Sequence, residues 1–198
     1  MWRFLGYAGL AVLLLGFGGC SGPLPEPERR WRQGREAAIR EALPGAFAKA
    51  FSGIPFFPYD KAFVVRTLLR PLVPPEPLRM AASDGSLRPA QRVGKVQVRL
   101  PTGEAVLTVF QLDDIRDRYP DHLFLPFRDS LAGQQTYGSG RYLEVVKLPG
   151  AVLELNFNRA YNPDCAFGLT ASCPITPKEN WLSFPVPVGE KLPGGGHS

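Results

Sequence analysis

The feature that most constrains the fold is an alternation of apolar and polar residues on both sides of a short turn. Residues 95–100 and 104–112 each alternate with a period of two, and Pro101-Thr102-Gly103 separates them. The alternating positions are Val96, Val98 and Leu100, then Val106, Thr108, Phe110 and Leu112. Because successive side chains of a strand point to opposite faces, this pattern predicts a β-hairpin with a buried face.

The same period recurs along much of the chain. Residues 61–70 and 122–127 are strand-like, and residues 141–146 and 151–157 flank Lys147-Leu148-Pro149-Gly150 as a second hairpin pattern. With 21 Gly and 21 Pro in 198 residues, the chain is rich in turns and poor in long helical segments. The sequence therefore predicts a mainly β fold, a small single-domain β-barrel or sandwich.

Three other segments have different patterns. Residues 27–43 are rich in helix formers and precede Pro44-Gly45, which predicts one N-terminal helix. Residues 71–77, PLVPPEP, contain four prolines and are expected to end the first strand. Residues 113–121 are charged and predict a polar connection with a single helical turn.

The N-terminus has the pattern of an export signal. A short basic start precedes Phe4–Phe17, an uncharged apolar run that is too short for a comfortable membrane span. The run ends in Phe17-Gly18-Gly19-Cys20, which resembles a bacterial lipobox, although Phe17 stands where Leu or another aliphatic residue is usual. We expect residues 1–19 to be a lipoprotein signal peptide and Cys20 to be the lipidated first residue.

These assignments imply a location and a partner. Residues 20–28 contain Pro at alternate positions and predict an extended tether, so residues 29–198 form the β-rich domain. The protein is expected to be exported and held at the cell envelope, outside the cytoplasm, with the membrane as a partner through its lipid anchor. The net charge of +5 arises from 23 basic and 18 acidic residues mixed along the chain, which does not indicate a nucleic-acid partner.

The other two cysteines lie eight positions apart. If Cys20 carries lipid, Cys165 and Cys173 remain as an even pair in a compartment where disulfides persist. The spacing favours a disulfide over a metal site, because His122 and His197 are distant in sequence, and two free thiols are the third alternative. No metal and no cofactor are expected.

A turn rich in glycine precedes the second hairpin. Gly138-Ser139-Gly140 indicates a sharp turn or a close backbone approach, and a strand-like segment follows where a dinucleotide-binding loop would need a helix. Two interpretations stay open. Arg141 and the turn N–H groups form an anion cradle, or Arg141 pairs with Asp129 as a structural ion pair.

Polar residues also cluster after the second hairpin. The segment NFNRAYNPDCAF is interrupted by Pro163 and cannot be regular secondary structure, so its polar groups must bond to the backbone, to one another or to a ligand. Several nearby polar residues join this set as candidate ligand-binding residues. The candidates are Asp129, Tyr137, Arg141, Asn158, Tyr161, Asn162, Asn180 and Glu190.

Several unusual strings occur in order between Phe124 and Lys191. FRDSLAGQQTYGSGRYLE, LELNFNRAYNPDCAF, CPITPKENWL and VGEK together resemble a bacterial family catalogued only as domain of unknown function 1684. This chain departs from the family pattern at Asn156, where the family has Asp, at Asp164, where it has a second Pro, and in PIT after Cys173. The resemblance implies a shared compact fold and carries no established activity, and the Asn156 departure weakens any acid–base role there.

Three functions are consistent with these observations. The leading hypothesis is a noncatalytic envelope module that binds a small polar or anionic ligand, or a protein partner, around the candidate residues. The alternative is a carboxylate-dependent hydrolase that uses Asp129, Glu144 or Glu190 with Arg141. The third is a purely structural envelope lipoprotein. The sequence does not determine the oligomeric state.

Overall fold

A computed structural model describes residues 23–169 and 172–193. The α-helices are α1 (Glu26–Ala42), α2 (Gly45–Ala50) and the single turn α3 (Asp113–Arg116). The strands are β1 (Val64–Leu68), β2 (Arg70–Ala81), β3 (Leu87–Leu100), β4 (Gly103–Leu112), β5 (Phe124–Phe127), β6 (Arg141–Leu148) and β7 (Val152–Asn156). The expected signal peptide 1–19, Cys20 and His197 lie outside the described residues.

Within the described residues, the seven strands form one curled antiparallel sheet, a half-barrel, in the order β1-β7-β6-β5-β4-β3-β2. Leu69 alone separates β1 from β2, although these strands lie at the two ends of that order. The sheet must therefore curl, and the Thr67 hydroxyl donates a hydrogen bond of 2.8 Å to the Gln97 carbonyl on β3. The predicted mainly β, single-domain fold with an N-terminal helix is confirmed, and its sheet is a curled barrel-like sheet.

Both predicted hairpins are present. β3 pairs with β4, and β6 pairs with β7. In the first hairpin Val96 lies opposite Leu107, so these two share the face that lines the interior. The predicted inward face of β4 was wrong, because Phe110 and Leu112 point to the other side, where they are buried in a second apolar cluster.

The proline-rich segment does not end a strand as predicted. It lies within β2, which runs from Arg70 to Ala81 at an edge of the sheet. An edge strand has one side without a ladder partner, so prolines there leave fewer hydrogen bonds unmade. The pairing with β3 also shifts between Pro71 and Glu76, which accommodates the prolines at an irregularity.

The core fills the inside of the curl. Its residues include Val98, Leu125, Phe127, Leu155 and Phe157, all fully or almost fully buried. Phe127 and Phe157 meet edge to face with ring centroids 5.3 Å apart. Because successive side chains of a strand point to opposite faces, the residues of β6 and β7 that alternate with core residues point to the outer face of the sheet.

Helix α1 lies against that outer side. It begins at Glu26, so the last three residues of the predicted tether 20–28 are its first turn, a correction to that boundary. Pro27 occupies the first turn, where its missing N–H has no intrahelical partner to lose. The buried Glu28 carboxylate bonds Asn156 and Arg159, which fixes the helix to the end of β7. None of the described helices has the length and apolar character that a membrane span requires.

Candidate functional site

Arg141 and Asp129 are paired in the interior. Arg141 Nη2 lies 3.5 Å from Asp129 Oδ2, and the side chains are 1% and 2% exposed. Arg141 also donates to the carbonyls of Val186, Val188 and Glu190. Burial lowers the pKa of Arg141 to about 10, so it stays charged at neutral pH. Of the two interpretations of the glycine turn, the structure shows the ion pair.

Glu190 is buried beside this pair. Its carboxylate accepts hydrogen bonds from Arg35 Nε at 3.0 Å and from the Asn162 N–H at 2.8 Å. Burial raises the pKa of Glu190 to about 6, against the opposing effect of Arg35, the Asn162 hydrogen bond and Arg141. The Asn162 side chain in turn donates to the Lys191 carbonyl. These groups tie α1, the segment after β7 and the C-terminal segment together.

Asn158 and Asn180 are fully buried and serve the backbone. Asn158 accepts from the Asp60 N–H and donates to the Asp60 carbonyl, each at 2.8 Å. Asn180 bonds both backbone groups of Thr108 on β4 and donates to the Pro126 carbonyl on β5. Both amides act as substitutes for strand pairing where the chain is irregular.

The two tyrosines of the candidate set are partly accessible. Tyr161 donates to Glu144 Oε1 at 2.9 Å, and its ring meets Tyr142 edge to face. The Tyr137 hydroxyl lies 3.7 Å from the Cys165 sulfur. The structure therefore brings Asp129, Arg141, Asn162 and Glu190 into one internal network and places the other candidates elsewhere.

Cys165 and Cys173 lie together but are free thiols in this structure. The Cys165 N–H donates to the Cys173 sulfur at 3.3 Å. The expected disulfide between them stays a prediction. Within residues 23–169 and 172–193 no cluster of three or more His, Cys, Asp or Glu residues could hold a metal ion.

A groove of about 390 Å³ lies between α1 and the outer face of β1, β7 and β6. Its floor is formed by Val64, Glu144, Val146, Glu154 and Asn156, which alternate with residues of the core. Its rim is formed by Glu28, Trp31, Tyr59 and Arg159.

Carboxylates outnumber basic groups in this lining. Arg159 is already bound to Glu28 at 3.0 Å, so its charge is compensated locally. Glu144 Oε2 lies 3.4 Å from His122 Nε2. The hydrogen bond with His122, supported by Tyr161, lowers the pKa of Glu144 against the effect of burial, so the carboxylate is ionised at neutral pH. Trp31 and Tyr59 add partly exposed aromatic rings at the rim.

Most of the groove was missed by reasoning from sequence. Glu144 was considered only for a hydrolase, and the other groove residues were not considered as ligand-binding residues. A usable signal was present, because Glu144, Glu154 and Asn156 alternate with core residues and so had to share the outer face. The position of Glu28 and Trp31 over that face depends on how α1 docks, which the sequence does not show.

The hydrolase alternative relied on Arg141 with a carboxylate from Asp129, Glu144 or Glu190. Asp129, Glu190 and Arg141 are buried with their hydrogen bonds made inside the protein. Glu144 is the exception, since it lies at the groove with 55% of its side chain exposed.

Comparisons with known proteins give a family and a fold. The solution NMR structure of an uncharacterised protein from Haloarcula marismortui is similar, with 30% identity and a TM-score of 0.62. The match covers 82% of this chain and 91% of that one. No curated protein matches the chain. The model of the family described as "Protein of unknown function (DUF1684)" matches residues 49–191. The chain therefore belongs to this family of unknown function.

Proposed function

We propose that this protein is an exported, lipid-anchored, noncatalytic module that binds a small organic cation in the groove between α1 and β1, β7 and β6. The observation that carries the proposal is the lining, in which aromatic rings and an excess of carboxylates border a cavity of about 390 Å³. That volume lies within the range of cavities that hold small molecules, about 300 to 1,000 Å³.

The charges of the groove favour one class of ligand, a cation. Glu28, Glu144 and Glu154 face a single lining guanidinium, that of Arg159, in a chain whose net charge is +5. Arg159 is held by Glu28, and Arg66 pairs with Glu154 from a largely exposed position. An anion would meet ionised Glu144, so the anionic ligand considered from sequence is disfavoured here.

The aromatic groups favour the same class. Trp31 and Tyr59 present rings at the rim, and an ammonium group over an aromatic face gains about 0.5 to 2 kcal/mol. Val64 and Val146 provide apolar surface on the floor for the carbon skeleton of the ligand. A cation with a short apolar body therefore suits the groove better than a bare metal ion.

Export and anchoring complete the proposal. They are supported by the apolar run Phe4–Phe17 and by the lipobox-like sequence before Cys20. Mass spectrometry of detergent-extracted protein is expected to find an acylated Cys20 as the first residue. Recovery of unprocessed chain with an unmodified cysteine from the membrane fraction would contradict the anchor.

Binding is tested by thermal shift and calorimetry with tetramethylammonium, ethanolamine, glucose and inorganic phosphate. We expect the two cations to raise Tm, with a stabilisation of about 2.7 kcal/mol at 100 times Kd, and phosphate to have no effect. Trp31→Ala and Glu144→Gln should each weaken cation binding about tenfold. Glu104→Gln, an exposed carboxylate on another hairpin, is the matched control. A response to phosphate alone, or to none of the probes, contradicts the proposal.

A further inference from the structure

Two thiols from separate segments lie side by side, away from the groove. Cys165 belongs to the 3-10 turn Asp164–Phe167 and is half-buried, whereas Cys173 is 6% exposed. The Cys165 N–H donates to the Cys173 sulfur at 3.3 Å. A reagent in solvent can therefore reach Cys165 first, with Cys173 directly behind it.

Hydrogen-bond donors converge on the Cys165 sulfur. The Tyr137 hydroxyl lies 3.7 Å from it. The Cys173 thiol and Ser83, in the turn between β2 and β3, act on its titration as hydrogen-bond partners. The backbone fixes this arrangement, since the Cys173 N–H donates to the Ser83 hydroxyl at 3.1 Å and the Ser83 N–H donates to the Cys173 carbonyl at 2.9 Å. Donors placed around a sulfur favour its thiolate form.

The two thiols are consequently unlike. The hydrogen bond from Cys173, helped by Tyr137 and Ser83, lowers the pKa of Cys165 to about 6 against the effect of burial. The same hydrogen bond, together with burial, raises the pKa of Cys173. At neutral pH Cys165 is the nucleophile, and Cys173 holds its proton.

We propose that Cys165 and Cys173 form a reversible dithiol site for small organic disulfides, in which Cys165 attacks and Cys173 resolves. The Cys165 thiolate attacks one sulfur of R–S–S–R, forming Cys165–S–S–R and releasing R–S⁻. Cys173 then loses its proton to solvent, attacks the Cys165 sulfur and releases the second R–S⁻. The organic disulfide is reduced by two electrons, and the protein gains one internal disulfide.

The geometry explains why the roles exchange after the first step. Once Cys165 carries the R–S group it is no longer a thiolate, so Cys173 no longer donates to a charged sulfur. The largest cause that raises the pKa of Cys173 is thereby removed while burial remains, so its thiolate forms more readily than in the reduced protein. The disulfide expected from the sequence is the oxidised state of this site.

The test uses the full chain with Cys20→Ser, reduced and then freed of reductant, and 5,5′-dithiobis(2-nitrobenzoate) as the organic disulfide. We expect two equivalents of thionitrobenzoate per chain, a product without adduct, and recovery of both thiols with mild reductant. The rate of the first phase should rise with a midpoint near pH 6, whereas an ordinary thiol has a midpoint near about 8.5.

Single variants in the same background separate the roles. Cys173→Ser should release one equivalent and keep a stable mixed disulfide on Cys165, while Cys165→Ser should react at least about 100-fold more slowly. Tyr137→Phe should move the midpoint to higher pH, and far-ultraviolet circular dichroism checks that each variant is folded. A persistent adduct on the parent, a midpoint near that of glutathione, or a disulfide that is reduced only after unfolding would each overturn the proposal.

Discussion

Arg141 Nη2 lies 3.5 Å from Asp129 Oδ2, and neither side chain reaches solvent. Asp129 also accepts hydrogen bonds from the Val186 N–H and the Thr136 hydroxyl, each at 2.8 Å. Since Arg141 begins β6 and bonds the carbonyls of the C-terminal segment, the pair attaches that segment to the sheet. Its geometry is that of a structural element, because both carboxylate oxygens of Asp129 and both terminal nitrogens of Arg141 bond groups inside the protein.

Replacing Arg141 should therefore lower the free energy of unfolding substantially. Arg141→Met removes the cation and leaves Asp129 charged and buried, together with backbone carbonyls that lose their donors. Loss of one member of a buried pair typically costs about 3 to 5 kcal/mol, and we expect that range in urea unfolding. Arg99→Met, in an exposed pair with Glu104, should cost about 1 kcal/mol or less. Equal costs for the two variants would contradict the structural role.

The glycine turn offers a matched pair of variants. Gly140 has a φ of +100°, and a Cβ there would lie 2.6 Å from the Phe127 carbonyl oxygen and would also collide with Thr176. A Cβ at Gly138 would meet its nearest atom at 4.0 Å. We expect Gly140→Ala to lower the free energy of unfolding by several kcal/mol, on the order of 2 to 4, and Gly138→Ala by about 1 or less. Chemical denaturation measures the free energy of unfolding of both variants. A larger loss for Gly138→Ala than for Gly140→Ala would refute the close approach at Gly140.

Glu190 should make stability depend on pH in an unusual direction. Burial raises its pKa to about 6 in the folded protein, above the ordinary value of 4.5. Between these values the folded state holds the proton more tightly than the unfolded chain. The contribution of Glu190 to the free energy of unfolding therefore falls as pH rises through these two values, by about 2 kcal/mol in total from well below 4.5 to well above 6.

The comparison that isolates this effect is with Glu190→Gln. The difference in unfolding free energy between the wild-type protein and the variant should decrease by about 1.5 kcal/mol between pH 4.5 and 6.5. Urea titrations at four pH values measure it. If the difference increases over that interval, the ion pair with Arg35 outweighs burial and the pKa of Glu190 is lowered instead.

The side-chain amide of Asn156 has a specific partner on α1. Asn156 Nδ2 donates to Glu28 Oε1 at 2.8 Å, with the Glu28 side chain 7% exposed. Asn156→Asp would replace that donor with a second carboxylate. We expect a loss of about 1 to 3 kcal/mol in unfolding free energy and weaker docking of α1.

A second substitution tests the mechanism of that loss. Adding Glu28→Gln to Asn156→Asp restores a donor opposite an acceptor and should recover part of the stability, as a double-mutant cycle measures. Gln134→Glu, an exposed amide-to-carboxylate change, is the control and should have an effect within about 0.5 kcal/mol. Additive effects of the two substitutions would show that Glu28 and Asn156 do not interact.

Much of the fold could be predicted because β-structure depends on local pattern. The alternation in residues 95–100 and 104–112 was sufficient to predict β3 and β4, and the second hairpin followed in the same way. The inward face of β4 was not predictable, because its later residues are apolar on both sides. The prolines of β2 were also misleading, since their effect depends on which strand lies at the edge.

The candidate site was likewise predicted only in part from the sequence. Sequence reasoning selected Arg141, Asn158 and Asn180 because polar groups in irregular segments need partners, and it could not tell whether those partners are ligands or backbone. The structure shows that the partners are backbone and carboxylate groups of the same chain. The groove was missed because its residues come from a helix, a loop and three strands.

By itself the sequence determined the strand-rich class, the two hairpins, the N-terminal helix and the family. Each depends on patterns that are local or contiguous, such as the alternation around Pro101-Thr102-Gly103. Only the tertiary structure showed that Arg141 forms a buried ion pair with Asp129 and that a groove lies between α1 and the outer face of the sheet. It also showed that Cys165 and Cys173 lie together and differ in solvent exposure. These depend on distances between segments far apart in the chain, where burial and neighbouring charges set what each polar group can do.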